Sequence, residues 1–260
     1  MMNSKICAIG IFLLLSIEAF SQVSIHAHND YAGSRPLFAA LEARADCIEA
    51  DVYPVGGELL VAHAIGDTVE GHGLWEMYLQ PIIGRFKQFR NRVSADTAYR
   101  FYLMVDIKRD APAVIKYLTN VLARYPAVFD RSINSMAVQV VLSGERGNPE
   151  GWIKLPSYIM MDGRPSEPYT GAQLNKVAFI SESLARYSQP HDSLEIKVRQ
   201  LSRQVHAQQK LLRLWGIPDN HSSWQHFSDW GVDIINTDHP AACRQYFNGK
   251  AAKNNGEPAP

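Results

Sequence analysis

The sequence predicts an α/β fold, specifically a single-domain TIM-type (β/α)8 barrel. Eight short β-rich runs alternate with helical stretches along 260 residues, a pattern that favours parallel strands joined by right-handed crossovers and a length that suits such a barrel. An open doubly wound sheet would usually carry a glycine-rich phosphate loop after its first strand. Here His28-Asn29-Asp30-Tyr31 follows that strand instead, so the barrel is favoured.

The β-rich runs are four to seven residues long and are rich in branched and aromatic side chains, as strands are. An additional strand, Glu58–His63, is expected to follow the second run through a Val55-Gly56-Gly57 turn. The eight predicted barrel strands are Ser24–Asn29, Cys47–Val52, Phe101–Ile107, Met136–Leu142, Tyr158–Met161, Val177–Ile180, Leu211–Trp215 and Val232–Asn236.

The segments between these strands carry apolar residues at helical spacing, and proline stands first in two of them, as at many helix starts. The last of these helices is expected to close the domain. The predicted helices are Pro36–Ala45, Leu74–Val93, Ala111–Tyr125, Leu194–Lys210, Ser222–Trp230 and Pro240–Phe247.

The N-terminus has the pattern of a secretory signal peptide. A basic start is followed by the apolar run Ile6–Ile17 and by Ala19-Phe20-Ser21, which predicts cleavage after Ser21. A membrane anchor is the alternative, but this run is shorter than the about 20 residues of a spanning helix. We therefore expect an exported protein, periplasmic or secreted, with a signal peptide at residues 1–21, the barrel at 22–248 and a disordered tail at 249–260.

Two cysteines, Cys47 and Cys243, remain after removal of the signal peptide. They fit no zinc pattern, and although export would permit a disulfide, two buried small side chains are the simpler expectation. Lys and Arg together number 26 and equal Asp and Glu, which argues against a nucleic-acid partner. The basic segment 85–92 could make transient contact with a membrane surface, but a solvated outer face explains it as well. The sequence indicates no obligate protein partner.

Acidic residues fall where two neighbouring strands end. Glu49 and Asp51 are two residues apart and should project to the same side of their strand. An exposed strand face would also explain such a pair, but apolar neighbours predict that this strand is buried. Two buried carboxylates repel each other unless a cation lies between them. With Asp106 at the next strand end, they form a set of oxygen ligands that suits one divalent cation, Mg²⁺ or Ca²⁺.

Two histidines stand at strand ends on either side of this acidic pair in sequence, His28 and His63. With an unperturbed pKa near 6.5, histidine serves as a general base or acid at neutral pH, and phosphodiester cleavage requires both. Lys108 shares a side with Asp106 and could contact a phosphate oxygen.

These residues resemble the PLC-like phosphodiesterase superfamily, which includes glycerophosphodiester phosphodiesterases and phosphatidylinositol-specific phospholipases C. The shared features are a histidine ending strand one, E-x-D on strand two, a second histidine about a dozen residues later, an acidic-x-Lys pair on strand three, an aromatic residue near strand seven and a polar residue on the last strand. The matching residues here are His28, Glu49, Asp51, His63, Asp106, Lys108, Trp215, and Asn236 or Asp238. The stretches Ile25–Tyr31, Arg35–Phe38 and Glu49–Val52 look closest to an uncharacterised branch of that superfamily.

The resemblance implies a metal-dependent phosphoric diester hydrolase that acts on a small phosphodiester or phospholipid-derived substrate. His28 and His63 would be acid and base, Glu49, Asp51 and Asp106 would hold the cation, and a cyclic phosphate often forms in that superfamily. The residues expected to contact substrate are Asn29, Lys108, Trp215, Asn236 and Asp238. Glycerophosphodiesterases usually have arginine after the first catalytic histidine; Asn29 stands there in this sequence, so the substrate is not named by the resemblance.

Two other classes of function are compatible with the sequence. His26-Ala27-His28 has the H-x-H form of amidohydrolases and of polymerase-and-histidinol-phosphatase (PHP) barrels, but those sites need further histidines from later strands. Strand ends five and six offer none. The third reading is a catalytically silent barrel that binds a lipid head group or a glycan; the complete set of key residues favours an enzyme.

Overall fold

The computed structural model describes residues 23–187 and 193–254. The predicted signal peptide and residues 255–260 of the predicted tail lie outside the described residues. Eight parallel strands pair in the order β1-β9-β8-β7-β6-β5-β4-β2, and β2 pairs again with β1, which closes the barrel. These strands are β1 (Ser24–Ala27), β2 (Cys47–Val55), β4 (Tyr102–Ile107), β5 (Gln139–Gly144), β6 (Ile159–Gly163), β7 (Val177–Ser183), β8 (Leu212–Trp215) and β9 (Ile234–Thr237). The predicted TIM-type barrel is confirmed.

The second β/α unit carries the predicted hairpin. Strand β3 (Glu58–Val61) pairs antiparallel with the second half of β2. Gly56 and Gly57 make the turn with φ values of 61° and 89°, a left-handed conformation that glycine adopts without steric cost. The hairpin lies on one side of the barrel mouth, and His63 follows two residues after the end of β3.

Helices cover the outside of the barrel. The predicted 74–93 helix divides into a π-helical turn at Trp75–Leu79 and an α-helix, and the predicted 111–125 helix ends at Leu122 because Pro126 starts a new helix. The final helix extends to Asn254, beyond the predicted end at Phe247 and into the predicted tail. The helices are α1 (Phe38–Glu42), α2 (Gln80–Gln88), α3 (Ala111–Leu122), α4 (Pro126–Phe129), α5 (Pro149–Trp152), α6 (Gly171–Leu174), α7 (Leu194–Ala207), α8 (His221–Asp229) and α9 (Pro240–Asn254).

Apolar side chains fill two separate regions. The larger core lies between the strands and the surrounding helices. A smaller cluster inside the barrel contains Cys47, Met104, Val141, Phe179 and Ile234 and forms an apolar floor. Polar side chains occupy the levels above this floor, toward the carboxyl ends of the strands, where barrel enzymes place their chemistry.

Both remaining cysteines are buried and free, as expected for small core side chains. Cys47 is in the barrel floor, whereas Cys243 packs in the outer core. Within the described ranges, no helix has the length and apolar character needed to cross a membrane.

Candidate active site

Three carboxylates meet at the mouth of the barrel. Asp51 on β2 is the register partner of Asp106 on β4, so their side chains project to the same face. Glu49 lies two residues before Asp51 and therefore also points inward. One carboxylate oxygen of each residue lies within 4.8 Å of those of the other two. The three residues that the sequence predicted as a cation site are thus brought together, and their all-oxygen donor set fits a hard divalent cation.

Lys108 lies beside this cluster. Its Nζ is 2.8 Å from Asp51 Oδ2 and 2.5 Å from Asp106 Oδ2. Burial alone would lower the pKa of Lys108, but the neighbouring Asp106 and Asp51 carboxylates outweigh burial and raise it. Burial also raises the pKa of Asp106, and the charge of Glu49 adds to this effect. Lys108 therefore stays cationic beside Asp51 and Asp106.

His28 forms a dyad with Asp238 across the junction of β1 and β9. The Nδ1 atom of His28 lies 2.8 Å from Asp238 Oδ1, and the His28 backbone N–H donates to the Thr237 carbonyl at 3.0 Å. Asp219 accepts a hydrogen bond of 2.7 Å from the Asp238 backbone N–H. A histidine whose Nδ1–H donates to a carboxylate keeps Nε2 for proton transfer. Asp238, predicted as a substrate contact, is therefore placed to orient His28.

His63 stands on the other side of the carboxylate cluster, after β3. Its side chain is 75% exposed, and its Nδ1 lies 3.6 Å from Asp51 Oδ2. The Tyr53 hydroxyl donates to the His63 carbonyl at 3.2 Å and holds the loop. His28 and His63 line one cleft, which is the arrangement expected of an acid and base acting on a common substrate.

Tyr31 joins the loop after β1 to the carboxylate cluster. Its hydroxyl lies 2.8 Å from Asp51 Oδ2 and 3.0 Å from Asn29 Oδ1. Asn29 has a φ of 48°, a left-handed conformation that asparagine tolerates better than most residues. Its Nδ2 lies 3.4 Å from Asp238 Oδ1. Asn29 therefore links the His28–Asp238 dyad to Tyr31. The sequence did not predict that Tyr31 belongs to the site.

Arg213, on β8, is the main polar residue of the site that the sequence reasoning missed. It is buried inside the barrel, where its Nη2 donates to Glu49 Oε2 at 2.8 Å and to Asn236 Oδ1 at 2.6 Å. Burial alone would raise the pKa of Glu49, but the charge of Arg213 and the hydrogen bond from His26 together lower it. The sequence feature that could have indicated this role is an arginine within an apolar strand. It stands two residues before Trp215 and therefore lies on the same face of the strand.

The remaining predicted substrate contacts occupy different levels. Trp215 ends β8 at the mouth and is 43% exposed, and its contact with substrate stays a prediction. Asn236 is buried one level lower, with its amide oxygen accepting from Arg213 at 2.6 and 3.1 Å. The structure thus places Asn236 within the internal network, and its contact with substrate stays a prediction.

The H-x-H reading receives no support from this geometry. His26 is fully buried, and its Nε2 lies 2.5 Å from Glu49 Oε2. Burial and the charge of Arg213 lower the pKa of His26 to about 4, so the ring is neutral and donates to Glu49. Across residues 23–187 and 193–254, the group of side chains close enough to hold a metal is the three-carboxylate cluster, without His26 or His28.

The chain folds as a TIM barrel with a carboxylate cluster and two histidines at its mouth. Residues 17–145 match the family described as the AIM6-like phosphodiesterase domain. The predicted resemblance to the PLC-like phosphodiesterase superfamily is confirmed.

Similar proteins include two fungal sequences and a bacterial structure. The chain is 27% identical over 262 residues to altered inheritance of mitochondria protein 6 of Eremothecium gossypii, with 82% of this chain and 67% of that protein covered. It is 22% identical over 266 residues to a homolog from Arthroderma benhamiae, with 86% and 84% covered. A crystal structure of a glycerophosphodiester phosphodiesterase from Parabacteroides distasonis superposes with a TM-score of 0.58 at 14% identity and covers 89% of this chain and 99% of that one. At 14% identity, the similarity to this crystal structure shows the fold alone.

Proposed function

We propose that this protein is a metal-dependent phosphoric diester hydrolase. The observation that carries the proposal is the placement of His28 and His63 in one cleft beside three clustered carboxylates. The match to a phosphodiesterase domain family supports the same reaction class. The substrate would be a small phosphodiester or a phospholipid-derived compound.

Glu49, Asp51 and Asp106 would hold one divalent cation, Mg²⁺ or Ca²⁺. Such a cation offsets charge that develops on the phosphoryl oxygens during cleavage. Lys108 lies against two of these carboxylates and would contact a further phosphate oxygen. The attraction between a cationic side chain and a phosphate oxygen is stronger in a partly buried site than in water.

His28 and His63 would act as general base and general acid. One takes a proton from the attacking hydroxyl of water or of the substrate, and the other gives a proton to the departing oxygen. Asp238 holds His28 through Nδ1 at 2.8 Å, which fixes the tautomer that presents Nε2 to substrate. His63 lies with its Nδ1 3.6 Å from Asp51 Oδ2, and its backbone carbonyl accepts from the Tyr53 hydroxyl.

We further propose that the protein is exported and acts in the periplasm or outside the cell, on the strength of the signal-peptide pattern at residues 1–21. Transient contact with a membrane surface would fit a phospholipid-derived substrate. The balanced charge of the chain argues against nucleic acid as a substrate.

The test is hydrolysis of bis(p-nitrophenyl) phosphate by the mature protein with Mg²⁺ or Ca²⁺, with EDTA, and with His28→Ala. We expect turnover that EDTA abolishes and that the variant lacks while it keeps the wild-type circular dichroism spectrum and cation affinity. Cation binding without turnover on this or any natural phosphodiester would favour the silent binding barrel. Full activity in EDTA would contradict the role of the metal.

A further inference from the structure

A cleft of about 540 Å³ opens directly from the two histidines. It lies between the turn that follows β1, the start of α1 and the start of α9, and its lining includes His28, His63 and Asp238. Among the described residues, its lining does not include the carboxylates Glu49, Asp51 and Asp106. A diester whose phosphate lies at a cation between those carboxylates would have one ester arm within reach of this cleft, since His28 and His63 border both.

The walls of the cleft are rich in carbon and small in size. Ala32 and Gly33 form one side, and Ala39 from α1 and Pro240 from α9 form the others. Ala32, Ala39 and Pro240 carry apolar side chains, and Gly33 carries none. The polar side chains of the lining are those of His28, Asn29, Asp30, Tyr31, Arg35, His63 and Asp238. The volume is in the range of small-molecule sites, so the cleft has room for an alcohol of several carbon atoms.

The charged residues that line the cleft are already engaged within the protein. Arg35 forms two hydrogen bonds with Glu42, at 2.6 and 3.0 Å. The Asp30 carboxylate accepts from the Leu37 backbone N–H at 2.5 Å and from the Tyr78 hydroxyl at 3.0 Å.

Asp238, the third charged group of the cleft, is bound to His28 at 2.8 Å. The Arg35–Glu42 pair is solvent-exposed, and Asp238 is half exposed, so a charged arm would compete with these existing partners and with water. An uncharged arm would gain from contact with the carbon walls.

We propose that this cleft is the subsite for one ester arm of the substrate and that it selects an uncharged, carbon-rich alcohol. The proposal rests on the proposed phosphodiesterase function and specifies the class of alcohol that the enzyme accepts. It assigns Ala32, Gly33, Ala39 and Pro240 as the residues that set the length of that arm.

The test is calorimetric titration of the mature protein, in Mg²⁺, with methyl, butyl and hexyl phosphate and with a butyl phosphate that ends in a carboxylate. Each buried methylene should tighten binding about two- to fourfold, so butyl phosphate should bind at least about tenfold more tightly than methyl phosphate. The carboxylate-ended compound should lose this gain. Ala39→Trp fills the cleft and should abolish the gain with chain length, whereas Ala123→Trp, an exposed alanine at the end of α3, should retain it.

Equal affinity for all chain lengths, absence of binding, or an undiminished gain in Ala39→Trp would each overturn the proposal. Binding is measured without turnover, so the two proposals can fail separately. Hydrolysis of bis(p-nitrophenyl) phosphate without a chain-length effect would leave the phosphodiesterase function in place and remove the subsite. A chain-length effect without hydrolysis of any diester would support the subsite and count against the enzyme.

Discussion

Arg213 Nη2 lies 2.8 Å from Glu49 Oε2 inside the barrel, and both side chains are almost completely buried. The same guanidinium donates through Nε and Nη2 to Asn236, and His26 holds the same Glu49 oxygen. A carboxylate in such a setting would be costly without a partner, because its charge is removed from water. Arg213 therefore offsets the buried charge of Glu49 and fixes the orientation of that carboxylate, whereas Lys108 pairs with Asp51 and Asp106.

Replacement of Arg213 by methionine should destabilise the fold. Methionine has a similar length but leaves Glu49 buried without its cation, and breaking a buried ion pair in this way costs about 3–5 kcal/mol. The measurement is the free energy of unfolding in urea at neutral pH. Arg213→Lys keeps the charge and is the matched control, with an expected smaller loss. An Arg213→Met protein as stable as the wild type would show that Glu49 does not depend on this pair.

The sequence predicted the barrel because its signals are local and repeat. Each barrel strand is an apolar run, and the crossovers between strands leave few topologies, so all eight were identified to within a few residues. The carboxylate cluster at the barrel mouth could be predicted because side chains two residues apart on a strand lie on the same face. Glu49 and Asp51 must share a face, and their neighbour Asp106 is brought to the same level by the parallel register.

The contacts that complete the site come from partners distant in sequence, which explains why they were missed. His28 and Asp238 are 210 residues apart, and Arg213 and Glu49 are 164 apart. Sequence periodicity places each residue on its own strand face but does not say which opposite strand it reaches. The last strand therefore offered Asn236 and Asp238 as equivalents, whereas the closed barrel places one in the interior and the other beside His28.

Asp238→Asn should impair turnover more than it impairs substrate binding. The carboxylate accepts from His28 Nδ1 and so fixes the orientation and tautomer of the ring. An asparagine of the same shape can present an amide N–H there instead, which cannot accept that hydrogen bond. We expect kcat for bis(p-nitrophenyl) phosphate to fall at least about tenfold, within the range attributed to general acid–base catalysis, with little change in KM. Asp233→Asn, which alters a carboxylate bound to His206 away from the mouth, is the control. Equal losses in both variants would indicate a general effect on the fold.

Asp51→Asn should weaken cation binding. Asp51 is the carboxylate contacted by Lys108, Tyr31 and His63, and the substitution removes one of the three negative charges that would attract the ion. We expect the affinity for Mn²⁺, used as a spectroscopic substitute for Mg²⁺, to fall about tenfold or more, as charge count tunes such sites. Electron paramagnetic resonance of the free ion measures this directly. Unchanged Mn²⁺ affinity would place the cation elsewhere.

The burial of His26 should make the fold less stable in mild acid. Burial, with the charge of Arg213, lowers its pKa from 6.5 to about 4, so between these pH values the unfolded chain binds a proton that the folded protein does not. Stability conferred by the neutral ring is therefore complete above about pH 6.5 and declines as pH falls toward 4.

From pH 6.5 to about pH 5, this single group should cost about 2 kcal/mol of unfolding free energy, since one pKa unit corresponds to about 1.4 kcal/mol. His26→Gln retains a side-chain N–H that can donate to Glu49 but does not titrate, so it should lose that part of the pH dependence. Urea unfolding of both proteins at the two pH values, in EDTA to exclude competition from metal ions, gives the comparison. Identical pH slopes in the two proteins would show that folding does not lower the pKa of His26.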